Sequence, residues 1–453
     1  MSYPASPNIG SASAAIDAGH VSSLTLTESA LDRVADPAGE GTRAFTKVFA
    51  ERALRLARAS DSLRTAGLKR SPLEGLPISI KDLFDVAGTR TMAGSTVLHD
   101  APAAKQDAGV VQRLLASGAV LVGKTNMTEF AYSGLGINPH YGTPANPWQR
   151  HEQRIPGGSS SGAAVAITDG MCIASVGSDT GGSARIPAAL CGITGFKPTA
   201  RRMPAMGLLP LSPTLDAVGV LAADVAGCAA MDAVLSGTSS RSRVALLTQA
   251  RFAIPATLVQ DSMDPDVAAA FKHAIQRLSA AGARLIDLVV PEFNELADLN
   301  AAGGFSAAES WAWHADLIGQ RGASYDPRVM SRILRGKNFS AREYIELLAH
   351  RADWQRRVEA RLGQFDGWLM PTVPCIAPCI VDLVANEALY SAVNAVMLRN
   401  PSIVNFMDGC AISMPCHQPG DAPVGLSLAG STMGDTTILG WASSIEKAFH
   451  SEF

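Results

Sequence analysis

One stretch of this 453-residue chain constrains its fold more than any other. Residues 157–195 hold 9 glycines in 39 positions but only three charged residues, Asp169, Asp179 and Arg185. Glycine adopts backbone conformations that other residues resist, and it loses the most freedom when it is ordered. A run so rich in glycine and so poor in charge predicts a buried segment whose backbone is shaped for a purpose. It contains two glycine–serine runs, Gly157-Gly-Ser-Ser-Ser-Gly162 and Gly177-Ser-Asp-Thr-Gly-Gly-Ser183, each beside an apolar element.

The rest of the composition fits a large core. Apolar residues make up 47% of the chain and charged residues 17%, against about 25% charged in an average soluble protein. Lysine and arginine total 38 and acidic residues 41, a net charge of −3. That balance excludes a surface that wraps nucleic acid and a polybasic membrane patch. The N-terminus has no basic start followed by an apolar run, so no secretory signal is expected. No apolar run approaches the roughly 18 residues of a membrane span. The seven cysteines read as reduced thiols of a cytoplasmic protein. Cys375 and Cys379, like Cys410 and Cys416, lack well-placed histidine partners, so no metal site is expected.

The length suits either about three small domains or one large α/β domain. Apolar spacing predicts helices over 24–34, 44–63, 107–118, 162–170, 265–282 and 435–449, and a mostly helical region over 293–363. Short apolar runs predict strands at 76–80, 119–123, 172–177, 192–196, 243–247, 283–290, 368–371, 411–415 and 423–430. Residues 133–158 lack periodicity and read as a long loop. The alternation predicts a single α/β domain spanning 1–453, with helices on both faces of its sheet.

Two motif matches fail on context. Gly118-Ala-Val-Leu-Val-Gly123-Lys124-Thr125 has the phosphate-loop spacing. Its interior is an apolar β run whose amides belong to a sheet, so Lys124 reads as a structural residue. Gly158-Ser-Ser160-Ser-Gly162 has the nucleophile-elbow spacing, but Pro156 and two glycines replace the strand that must lead into the serine. A third constellation fits better: Lys81 at the end of an apolar strand, with the two glycine–serine runs. A serine hydroxyl needs a base to become a nucleophile, and a lysine left neutral by burial can be that base. The glycines before Ser183 allow N–H groups to face a reacting carbonyl.

These residues resemble the amidase signature family. The likeness includes Pro77-Ile-Ser-Ile-Lys-Asp82, Gly123-Lys-Thr-Asn-Met-Thr-Glu-Phe-Ala131 and Gly142-Thr-Pro-Ala-Asn-Pro-Trp148. It continues through Pro156-Gly-Gly-Ser-Ser-Ser-Gly162, Asp179-Thr-Gly-Gly-Ser-Ala-Arg185 and Pro187-Ala-Ala-Leu-Cys-Gly-Ile-Thr-Gly-Phe-Lys-Pro198, and closes with Met370-Pro-Thr-Val-Pro374 and Pro423-Val-Gly-Leu426.

The resemblance implies a mixed central sheet, a core signature over about 66–225 and a more variable pocket region over about 293–400. It implies a Ser–cis-Ser–Lys triad in which Ser183 is the nucleophile, Ser159 the bridging serine and Lys81 the base, with a cis bond between Gly158 and Ser159. Thr180, Gly181, Gly182 and Ser183 would supply oxyanion-hole amides. Asp179, Arg185 and Ser160 would support the loop, and Met127, Gly157 and Gly158 would approach the substrate. Ser178, Ala184 and Ser161 depart from the residues more common in the family, without removing a catalytic atom. Trp311, Trp313 and Tyr390 read as core rather than pocket. The implied reaction is hydrolysis of small-molecule amides, with carbamates and esters as further candidates, and it needs no metal or organic cofactor. No nucleic-acid or membrane partner is expected, and a homodimer stays open. The alternative is the glutamine-amidase subunit of a tRNA-dependent amidotransferase.

Overall fold

Among the described residues, eleven strands build one mixed sheet. They are β1 (Phe45–Val48), β2 (Pro77–Lys81), β3 (Val120–Thr125), β4 (Ala174–Asp179), β5 (Thr194–Lys197) and β6 (Ala217–Ala222), followed by β7 (Arg251–Pro255), β8 (Arg284–Leu288), β9 (Gly367–Pro371), β10 (Cys410–Pro415) and β11 (Gly425–Gly430). In the computed structural model, which describes residues 7–238 and 245–450, they lie in the order β1-β3-β2-β4-β6-β5-β10-β11-β9-β7-β8. β2 runs parallel to β3 and β4, and β7 runs parallel to β8 and β9. The other pairings are antiparallel.

The central strands follow from their residues. In β3, Leu121 enters one core cluster while Val120 and Val122 enter another, as expected for a strand covered on both faces. β2 alternates: Ile78 and Ile80 enter the main core. Ser79 and Lys81 take the opposite face, where Ser79 Oγ donates to Ser175 Oγ of β4 at 2.9 Å. The small-residue helix Ser161–Thr168 packs in the same cluster as Val120 and Val122. Because β2 and β4 are adjacent and parallel, with Ile80 opposite Val176, both carboxyl ends open at one rim. Lys81 ends β2 there, and Asp179 ends β4.

Three expectations need correction. The helix expected over 44–63 begins only at Ala50, and the residues before it form edge strand β1, antiparallel to β3. Gly123 explains the close approach, since a Cβ there would stand 2.4 Å from Lys47 O. The strand expected at 243–247 is displaced: Arg243 and Val244 lie outside the described residues, Leu247–Gln249 is a 3-10 turn, and the strand is Arg251–Pro255. Its Phe252 and Ile254 enter the main core. Trp313 is not core, being 39% exposed, whereas Tyr390 is buried and donates its hydroxyl to Ser133 Oγ at 3.0 Å. β6 and the helix Val225–Ser236 lie in a stretch for which no elements were expected.

Candidate active site

The rim shared by β2 and β4 gathers the two glycine–serine runs around Lys81. The lysine is fully buried, and its Nζ lies 2.7 Å from Ser159 Oγ and 2.8 Å from Ser178 Oγ. Burial pulls the amine down to about 7, a fall that the negative charges of Asp179 and Asp216 partly oppose. A lysine so placed holds a large neutral fraction near neutral pH. Ser159 stands just before the helix Ser161–Thr168, and the bond from Gly158 to Ser159 is cis.

The second run leaves β4 at Asp179 and turns back through Gly181 and Gly182, the latter at φ +121°. Ser183 follows, 3% exposed. The two runs are tied together, with Ser160 N donating to Ser183 O at 3.2 Å and Ser160 Oγ to Ser178 O at 3.5 Å. Ser160 is therefore a brace between the runs.

Asp179 and Arg185 shape the turn from inside. Their ion pair spans 2.9 Å with neither side chain exposed. Asp179 also accepts from the amides of Gly182 (2.8 Å) and Ala184 (3.2 Å). Burial alone would raise this carboxyl, but the Arg185 guanidinium overrides it and holds Asp179 at about 2. Arg185 reaches on to Pro401 O (3.0 Å) and Asn405 Oδ1 (2.7 Å) in the helix Glu387–Met407. That helix also covers the turn: a Cβ on Gly182 would stand 2.6 Å from Pro401 Cβ.

The amides of Thr180, Gly181 and Ser183 carry no hydrogen bond among the described residues. Gly182 departs from the expected set of four, because its amide is already engaged by Asp179. The Gly158 amide likewise donates to Gly134 O at 2.8 Å, and Met127 O accepts from Asn138 Nδ2 at 2.7 Å. Gly157 approaches Gly136 so closely that a Cβ on the latter would stand 2.3 Å from Gly157 O. These three groups brace the loop over 134–138.

Sequence reasoning missed two contributors. Ser178, noted only as a departure from the family pattern, is the second partner of Lys81. Asp216 gave no signal at all. Part of it reaches solvent, while its carboxylate accepts from Thr180 Oγ1 at 2.5 Å and from the amides of Leu211 and Ser212. Lys124 is structural, donating to Arg90 O at 2.8 Å. Among the described residues, no group of three or more His, Cys, Asp or Glu could hold a metal ion, and no helix is long and apolar enough to cross a membrane.

The chain is also similar to known proteins. The chain matches the amidase family profile over residues 25–439. It is 38% identical to a 2-amino-5-chloromuconic acid deaminase of Comamonas testosteroni, covering 87% of this chain and 86% of that protein. It is 33% identical to a glutamyl-tRNA(Gln) amidotransferase subunit of Chloroflexus aurantiacus, covering 95% and 94%. A solved amidase structure superposes with a TM-score of 0.87 at 28% identity, covering 97% of this chain and 99% of that one.

Proposed function

Because the chain belongs to the amidase family, we propose that it hydrolyses the C–N bond of a small-molecule amide through an acyl-enzyme on Ser183. The observation that carries this reading is the buried Lys81 amine 2.7 Å from Ser159 Oγ, on the rim that also presents Ser183.

A neutral amine has two N–H groups and one lone pair. With one N–H given to Ser178 Oγ, the lone pair of Lys81 is free to face Ser159. Lys81 takes the Ser159 proton, and Ser159 takes the proton of Ser183. The Ser183 hydroxyl makes no hydrogen bond among the described residues, which leaves it free to turn toward Ser159. Its oxygen bonds to the carbonyl carbon, and the π pair moves onto the carbonyl oxygen. The amides of Thr180, Gly181 and Ser183 stabilise that oxyanion. As it collapses the C–N bond breaks, and the nitrogen leaves with a proton from Ser159, which Lys81 replaces. Water then attacks the acyl-enzyme by the same relay, releasing the acid and restoring Ser183. No metal or organic cofactor enters these steps.

Carbamates and esters present the same carbonyl and belong in the same test. The seven free cysteines among the described residues support a reducing, cytoplasmic setting. The likeness to an amidotransferase component supports a second reading, a glutaminase that works inside a complex. One experiment separates the two. The purified chain is assayed alone against aryl amides, primary amides, carbamates, ureas, glutamine and an amino-substituted muconic acid. Steady partner-free turnover supports the first reading. Turnover of glutamine that requires added partner subunits supports the second.

A further inference from the structure

The loop over 211–216 is fastened at both ends. At one end stands Glu309, in the helix Gly304–Arg321. Its carboxylate accepts from Ser212 Oγ at 2.5 Å, Thr214 N at 3.1 Å and Tyr344 OH at 2.6 Å, and from Thr214 Oγ1. At the other end, Asp216 Oδ2 accepts from Leu211 N (3.0 Å) and Ser212 N (3.1 Å), closing the loop on itself. Asp216 Oδ1 accepts the hydroxyl of Thr180 at 2.5 Å. Thr180 is the first residue beyond β4, where the turn that carries Ser183 begins.

We propose that Asp216 is a positioning residue for the reaction, fixing the turn 180–183 through the Thr180 hydroxyl while Glu309 anchors it to the helical half of the molecule. This rests on Ser183 being the nucleophile. The turn contains two adjacent glycines, so its own chain does little to fix the direction of its amides. Two outside fasteners do so instead. Asp179 grips the amides of Gly182 and Ala184 from below, and Asp216 grips the Thr180 side chain. Burial raises the Asp216 carboxyl to about 7, and where it is ionised an O–H···O⁻ bond of this length is of the strong, charge-assisted kind. The amides it orients meet a negative charge that exists only as the carbonyl is attacked. Loosening them therefore slows the chemical step and leaves ground-state binding nearly unchanged.

Asp216 also acts on Lys81 through its charge, so the decisive variants leave Asp216 intact. Thr180→Val removes the hydroxyl at constant shape, and Thr180→Ser restores it. The assay follows hydrolysis of a small aryl amide. In parallel, a fluorophosphonate phosphonylates the nucleophile: a Ser Oγ–P bond forms, the P–F bond breaks, fluoride leaves and Lys81 receives the proton through Ser159. Thr180→Val is expected to lower kcat and the phosphonylation rate about 10- to 100-fold, with little change in KM. Thr180→Ser should recover most of the loss. Should Thr180→Val fail to fold, Asp216→Asn, which replaces one acceptor oxygen by an amide NH2, is expected to show the same fall in kcat.

Thr180→Val at the wild-type kcat, a loss confined to KM, or a Thr180→Ser variant as impaired as Thr180→Val overturns the proposal. So does Asp216→Asn at the wild-type rate. In each of these cases Ser183 still carries the phosphonyl group, and the nucleophile assignment stands. A wild-type enzyme that is never phosphonylated on Ser183 overturns the nucleophile assignment, and with it this proposal.

Discussion

The Nζ of Lys81 lies 2.7 Å from Ser159 Oγ, and neither residue reaches solvent. Burial lowers the amine to about 7. Below that pH it is an ammonium without a lone pair, and it cannot accept the Ser159 proton. kcat/KM is therefore expected to fall on the acid side with an apparent pKa near 7, the plateau lying above it. Stability moves in the same direction. Lys81 picks up its proton on unfolding, so the fold loses stability as pH falls from the ordinary lysine value of 10.5 to about 7. A pH–rate profile checks the first claim, and denaturant titrations of wild type and Lys81→Met across the same range check the second. A flat profile through neutrality contradicts Lys81 as base.

Ser178 accepts an N–H of Lys81 at 2.8 Å. An ammonium loses more than an amine does when a hydrogen-bond acceptor is removed. Ser178→Ala should therefore move the acid limb to lower pH and reduce the plateau, because the lone pair is less well aimed at Ser159. Ser178→Thr, which keeps the hydroxyl, should leave both near wild type. An unshifted limb in Ser178→Ala removes Ser178 from the account.

Asp179 and Arg185 pair at 2.9 Å with no exposure. Removing one partner leaves the other buried and unpaired, at a cost of about 3–5 kcal/mol. Arg185→Met should lower the unfolding free energy by that amount and slow turnover, since the carboxylate it leaves also holds Gly182 and Ala184. A stability within experimental error of wild type means that the pair does not hold the turn.

Ser183→Ala, Ser159→Ala and Lys81→Ala should each lose about 10³-fold or more in kcat while circular dichroism stays that of wild type. Removing two of the three should cost little more than removing one, because they act as a unit. A Lys81→Ala enzyme with near-wild-type turnover shows that another group serves as base.

What the sequence disclosed and what it hid divide along physical lines. Lys81, Ser159 and Ser183 stood out because each lies in a short block that resembles the amidase signature, and Lys81 and Ser159 meet at 2.7 Å. Asp179 and Arg185 were legible as loop support for the same reason, since both flank the turn, but their buried pairing with each other was not. Asp216 was not, because its link to Thr180 spans 36 positions and depends on β4 and β6 lying side by side. The spacing over 44–63 reads as one helix because apolar residues keep a helical rhythm through Phe45 and Val48. Pairing with β3, a tertiary contact, overrides that rhythm. Gly123 looked like half of a phosphate loop and is instead the point where β1 passes close to β3. The engagement of the Gly182 amide by Asp179 is a matter of hydrogen-bond direction, which no residue pattern encodes.

Peptide-level mass spectrometry of an enzyme quenched during turnover of a slowly deacylating aryl carbamate or amide locates the covalent bond. An acyl group is expected on the peptide that contains Ser183, assigned to that residue by fragmentation and absent from Ser183→Ala. An adduct on Ser159, Ser160 or any other residue, or a Ser183→Ala enzyme that still turns the substrate over at the wild-type rate, contradicts Ser183 as the nucleophile.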